Sequence, residues 1–89
     1  MTARITAAMW EAKANPGCGD ALVDWVYATA LPTLEGLPGL GRVEVFRSGE
    51  ESRVVVISLW TGEPAWLPDP PARLVARPPH AWDFEQIQR

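Results

Sequence analysis

His80 is the one histidine of the chain and belongs to the one residue type that ordinarily titrates near neutral pH, which makes it the first candidate for a catalytic proton acceptor. Its structural alternative is a histidine at a strand entrance, bonded to backbone or water. The five tryptophans, Trp10, Trp25, Trp60, Trp66 and Trp82, are many for 89 residues, and with Tyr27 and Phe84 they could wall an aromatic pocket. Trp25 and Trp60 stand among apolar neighbours on regular elements, where a core or interface role is expected. Trp66 stands in an irregular segment, where a flat ring suits a pocket wall or lid. We take Trp66, Trp82, Tyr27 and Trp10 as the candidate substrate-binding residues and His80 as the candidate catalytic one. Asp83 and Glu85 are two apart on an expected strand and so share a face, as an acid/base pair or as solvated edge charges.

Other chemistries find little support. Cys18 is the only cysteine, so there is no intrachain disulfide, and no Cys-x-x-Cys or His-x-x-x-His spacing proposes a metal site. Ser48, Ser52 and Ser58 lie in or beside a hairpin, outside any nucleophile-elbow context. Gly36, Gly39 and Gly41 belong to a turn that ends a helix, so they do not form a phosphate loop. No cofactor is expected.

With 89 residues, 47% hydrophobic and 21% charged, the chain reads as one globular domain spanning 1–89. A domain this short buries a modest share of its surface, and without disulfide or metal the expected reinforcement is a second copy of itself. The net charge of −3 and the scattering of seven arginines and one lysine along the chain argue against nucleic acid as a partner. No window approaches the roughly 18 apolar residues of a membrane span, and no signal-peptide pattern opens the chain. The expectation is a soluble, cytoplasmic homodimer.

The elements that must position these residues follow from periodicity and turn chemistry. Arg4 to Ala12 reads as a first strand, stopped by Asn15-Pro16-Gly17. Asp20 is placed to cap a helix whose face is Leu22, Trp25, Val26 and Thr29. Pro32 kinks or ends that helix, and the run Glu35 to Gly41 terminates it. Arg42 to Arg47 and Arg53 to Trp60 form an antiparallel hairpin around Ser48 to Ser52. Val54 to Ile57 is apolar without alternation, so this strand needs cover on both faces. Six of the nine prolines fall between Glu63 and Pro79, leaving at most a short helix from Pro70 or Pro71 to Arg77. Ala81 to Ile87 alternates aromatic and acidic residues as a last strand. The order is βαββαβ, that of an α+β ferredoxin-like fold with an antiparallel sheet and a short, proline-rich second helix.

Over Ile5 to Ile87 the chain resembles the antibiotic biosynthesis monooxygenase family. The matching stretch runs Leu34-Glu35-Gly36-Leu37-Pro38-Gly39-Leu40-Gly41-Arg42-Val43-Glu44-Val45-Phe46-Arg47, then Val54-Val55-Val56-Ile57-Ser58-Leu59-Trp60. The resemblance implies a dimeric α/β barrel, sheet against sheet, with a ligand pocket in each subunit between sheet and helices. It implies a cofactor-independent monooxygenase-like activity on an aromatic or polyketide-like substrate: His80 would accept a proton, Trp66, Trp82 and Tyr27 would line the cavity, and an arginine would steady the anion. The proline-rich segment replaces the family's second helix. The haem-degrading branch has an Asn on the first strand and a Trp and a His on that helix, and this chain lacks the Asn and has His80 beyond any helix, so haem cleavage is not expected. The alternatives are a non-catalytic homodimer binding a small apolar ligand, and a non-oxidative cyclase or isomerase on the same fold.

Overall fold

The computed structural model describes residues 4–50 and 52–89. Four strands, β1 (Ile5–Lys13), β2 (Leu40–Arg47), β3 (Arg53–Thr61) and β4 (His80–Glu85), form one sheet in the order β2-β3-β1-β4, every neighbouring pair antiparallel. This is the ferredoxin-like arrangement expected from the element order. Helix α1 (Gly19–Trp25) lies on one face. The hairpin joins β2 and β3 as expected, with Glu51 of its loop outside the described residues.

The helical region departs from its expected form in three ways. Asp20 does not cap α1: the N-cap position is Cys18, without a side-chain cap bond. Asp20 sits in the first turn, where Arg47 of β2 donates to its carboxylate at 2.6 Å. Second, α1 continues into a π-helical turn, Val26–Ala30, where the Leu31 N–H donates to the Val26 carbonyl, and then a 3-10 turn, Leu31–Thr33. Pro32 has no N–H to continue an α-helical ladder, which accounts for the break. The wider π turn shifts the buried face, so Leu22, Val26, Ala30 and Leu34 face the core and the expected Thr29 is exposed. Third, the second helix is reduced to one 3-10 turn, Ala72–Leu74. The chain then runs extended, Val75 bridging Ala14 and the Ala76 N–H donating to the Lys13 carbonyl at 2.8 Å.

Under α1 the core consists of Trp10 and Ala12 from β1, Val54 and Val56 from β3, Leu22, Val26 and Leu74, with a second group of Ala8, Leu34 and Trp60. Trp60 is 1% exposed, and its indole N–H donates to the Ser58 hydroxyl, two residues back on the same face, at 2.7 Å. That bond satisfies two polar groups that burial would otherwise penalise. β2 enters the sheet through a bulge, Leu40 opposite Trp60 and Arg42 opposite Leu59. The extra residue, Gly41, lets Leu40 and Val43 both pack against the core despite their odd spacing. Gly39 just before it has φ +86°, and a Cβ there would stand 2.3 Å from the Thr61 carbonyl oxygen.

The other face of the sheet carries no element among the described residues. Buried and half-buried positions alternate strictly along β3, with Val54, Val56, Ser58 and Trp60 buried and Val55, Ile57 and Leu59 half-buried. Cross-strand partners share a face, so Val55, Ile57 and Leu59 lie with Phe46, Glu44 and Arg42 of β2, Ala7, Met9 and Glu11 of β1, and His80, Trp82 and Phe84 of β4. The unbroken apolar run in β3 is thus divided between a packed face and an open one.

Candidate functional site

At one end of the open face a carboxylate is gripped by cations. Glu11 is a charged residue within an apolar strand and is only 7% exposed. Arg77 donates through Nη2 to both its oxygens, at 2.8 and 3.0 Å, and Arg53 Nη1 stands 3.4 Å away. Burying a carboxylate without partners is costly, and three elements converge to supply them: β1 brings Glu11, β3 begins with Arg53, and the extended segment after the 3-10 turn delivers Arg77. The backbone pairing of residues 75–76 to β1 sets where Arg77 reaches.

His80 opens β4 directly opposite Glu11, and Trp82 is opposite Met9. The imidazole Nδ1 stands 4.0 Å from Glu11 Oε1, within ion-pair range but beyond a hydrogen bond. It meets Trp82 edge-on at 5.6 Å. With its side chain 52% exposed, the imidazole can meet a ligand. The arrangement offers a proton acceptor beside a carboxylate, an indole wall and two guanidinium groups, a set suited to taking a proton from an aromatic hydroxyl and holding the resulting anion.

The sequence-predicted residues do not line one cavity. His80 and Trp82 come together on the open face. Trp10 lies on the opposite face, buried under α1 and 6.3 Å from Trp25. Trp66, 44% exposed, borders Trp10, Ala8 and Leu34 around a void of about 10 Å³, room for one water at most. The space between sheet and helix, where the resemblance places a ligand, is packed there by Trp10, Leu34 and Trp66. Tyr27 is exposed on the π turn, away from both groups. Asp83 and Glu85 share the face of β4 opposite to Trp82, across from Ala8 and Thr6. Glu85 pairs with Arg4 at 2.6 Å. At the far end of the open face Ile5, Arg42, Leu59 and Gln86 border a depression of about 250 Å³. A hollow of about 390 Å³ beside Pro70, Val75, Arg77 and Pro79 belongs to the proline-rich segment. No group of metal-ligating side chains occurs among the described residues, and none of their helices is long and apolar enough to cross a membrane.

Sequence reasoning missed Glu11, Arg53 and Arg77. The signal was present in Glu11 itself: a carboxylate inside the run Ala8-Met9-Trp10-Glu11-Ala12 contradicts the local pattern and calls for a cationic partner. Which arginines answer depends on register and on the path of the proline-rich segment.

No family model matches the chain and no curated protein is similar to it. Its fold is shared with solved structures. The NE2512 protein of unknown function from Nitrosomonas europaea superposes with a TM-score of 0.71 at 18% identity, over 97% of this chain and 92% of that one. The Rv0793 protein from Mycobacterium tuberculosis gives 0.69 at 16% identity over 96% and 97%, and the SO0527 protein from Shewanella oneidensis 0.66 at 15% over 96% and 93%. At such identities the likeness concerns the fold alone.

Proposed function

We propose that the protein is a homodimer joined through its open sheet faces, and that it acts on an aromatic, polyketide-like substrate as a cofactor-independent monooxygenase. The observation that carries the reading is the open face: an apolar field of Met9, Val55, Ile57, Trp82 and Phe84 on which no element of the described residues lies, ending at His80 beside Glu11. A contiguous apolar surface rimmed by charge marks an association site. In the proposed chemistry His80 takes a proton from an anthrone-type substrate, and Arg53 and Arg77 steady the anion. The anion reduces O2, and the resulting hydroperoxide loses water, so that a ring CH2 becomes a carbonyl and one water is released.

Two measurements test this. Sedimentation of the wild type gives a dimer, and Ile57→Glu, which puts a charge in the centre of the face, gives a folded monomer. Oxygen consumption with an anthrone in air exceeds the uncatalysed rate and falls at least tenfold in His80→Ala. A monomeric wild type sinks the dimer; an uncatalysed rate unchanged by the protein sinks the oxygenase. The second reading, a non-catalytic dimer that binds a small apolar molecule, is favoured by the packing between Trp10, Leu34 and Trp66. It predicts anthrone binding without oxygen uptake.

A further inference from the structure

Between the 3-10 turn and β4 the proline-rich segment forms the hollow of about 390 Å³, walled by Pro70, Val75, Ala76, Pro78 and Pro79, with Asp69 and Arg77 also in its lining. That volume stands at the low end of small-molecule clefts, roughly 300–1,000 Å³. Its walls are stiff. Proline fixes φ in three of them, the Leu74 N–H donates to the Pro71 carbonyl at 2.9 Å, and the Ala76 N–H ties the segment to Lys13 of β1 at 2.8 Å. A preformed hollow demands little ordering when a ligand enters. None of these residues belongs to the apolar field of the open face.

The hydrogen-bonding character of the lining is one-sided. Proline has a carbonyl but no N–H, so the backbones of Pro70, Pro78 and Pro79 can only accept. The N–H groups of Val75 and Ala76 are already taken, by the Ala72 carbonyl at 3.4 Å and the Lys13 carbonyl at 2.8 Å. Arg77 directs Nη2 to Glu11 and Nη1 to the Pro78 carbonyl, and the Glu11 carboxylate offsets its charge. Asp69 is exposed, and its carboxylate has no ion pair or hydrogen bond among the described residues. The hollow therefore presents acceptors and an anion beside apolar walls, and few donors.

We infer that this hollow is a binding site for a primary ammonium carried on a small aromatic group. An ammonium has three N–H donors and no acceptor, the complement of a lining that mostly accepts. Asp69 pairs with its charge, and the ring rests against the prolines and Val75. An alcohol with the same ring gains only the apolar contact and one weaker hydrogen bond. A carboxylate in the same place meets the Asp69 charge and finds few donors. The site is separate from the His80 end of the open face and depends neither on the dimer nor on oxygen chemistry.

The test is an amide NMR titration of the isotope-labelled full chain with phenethylamine, phenethyl alcohol and hydrocinnamate. The amine is expected to shift the amides of Ala72, Val75 and Ala76 and to bind about fivefold more tightly than the alcohol at low salt, a modest margin because Asp69 is exposed. Hydrocinnamate binds more weakly than either. Asp69→Asn brings the amine down to the alcohol and leaves the alcohol unchanged. Since a chain of net charge −3 attracts any cation, Asp24→Asn, an exposed position on α1, is the control: it removes the same charge and keeps the preference. Equal affinity for amine and alcohol overturns the site, as does a preference that survives Asp69→Asn, one lost equally in Asp24→Asn, or shifts that fall outside the segment. Asp69→Asn leaves sedimentation and oxygen uptake as in the wild type, so this site and the function proposed above stand or fall separately.

Discussion

Two ion pairs of similar length illustrate why distance alone does not measure a residue's worth. Arg47 and Asp20 meet at 2.6 Å, but their side chains are 50% and 87% exposed, so water competes for both. Asp20→Asn is expected to change stability by no more than about 0.5 kcal/mol. Glu11, by contrast, has a side chain only 9% exposed. Removing its charge takes from Arg77 the carboxylate to which it donates at 2.8 and 3.0 Å. Glu11→Gln is expected to cost about 1–3 kcal/mol, below the figure for a fully buried pair because the arginines keep part of their hydration. Urea unfolding of the two variants side by side measures the contrast. Gly39 is a purely steric case: its positive φ and the 2.3 Å approach to the Thr61 oxygen both exclude a side chain. Gly39→Ala should lower stability by about 2 kcal/mol or more, read from the same unfolding curves.

At the scale of elements, the first helix tests how far periodicity can be trusted. An uninterrupted 3.6-residue repeat starting at Leu22 places Thr29 inward. The π turn holds the spacing at four residues and places Ala30 inward at 0% exposure instead. Thr29→Leu should therefore be nearly neutral, whereas Ala30→Leu forces a larger side chain into a packed site and should cost about 1–3 kcal/mol. Thermal melts of the pair decide between the two phases. The proline-rich segment shows the complementary effect. It holds only one 3-10 turn, yet its residues 74–76 make backbone bonds to residues 13–15. A largely extended stretch thereby aims Arg77 at Glu11.

For the molecule as a whole, the governing fact is one sheet with one face covered by the described residues. The smallest extent, 18 Å, is that of a sheet with a single layer upon it. Phe46, Trp82 and Phe84 are 48%, 45% and 52% exposed on the other side, an arrangement that favours association. If two copies share this face, folding and association are coupled, and the melting temperature should rise with protein concentration. Differential scanning calorimetry over a hundredfold concentration range checks this, and a constant melting temperature counts against the dimer.

Strand order, the hairpin and the turn at Gly39 were legible in the residues, because alternation and turn chemistry are local properties; of the two covers expected for β3, the structure supplies the one under α1. The shared strand of His80 and Trp82, which brings their rings to 5.6 Å, was legible as well. The partnership of Glu11 with Arg53 and Arg77 was not, since it joins residues up to 66 positions apart whose meeting depends on strand register. Nor was the separation of Trp10, Trp66 and Tyr27 from His80. Residue type marks an aromatic side chain as suited to a pocket, but only the tertiary structure decides which side of a sheet it occupies. In this protein it places His80 and Trp82 on the open face and buries Trp10 and Trp60 on the other.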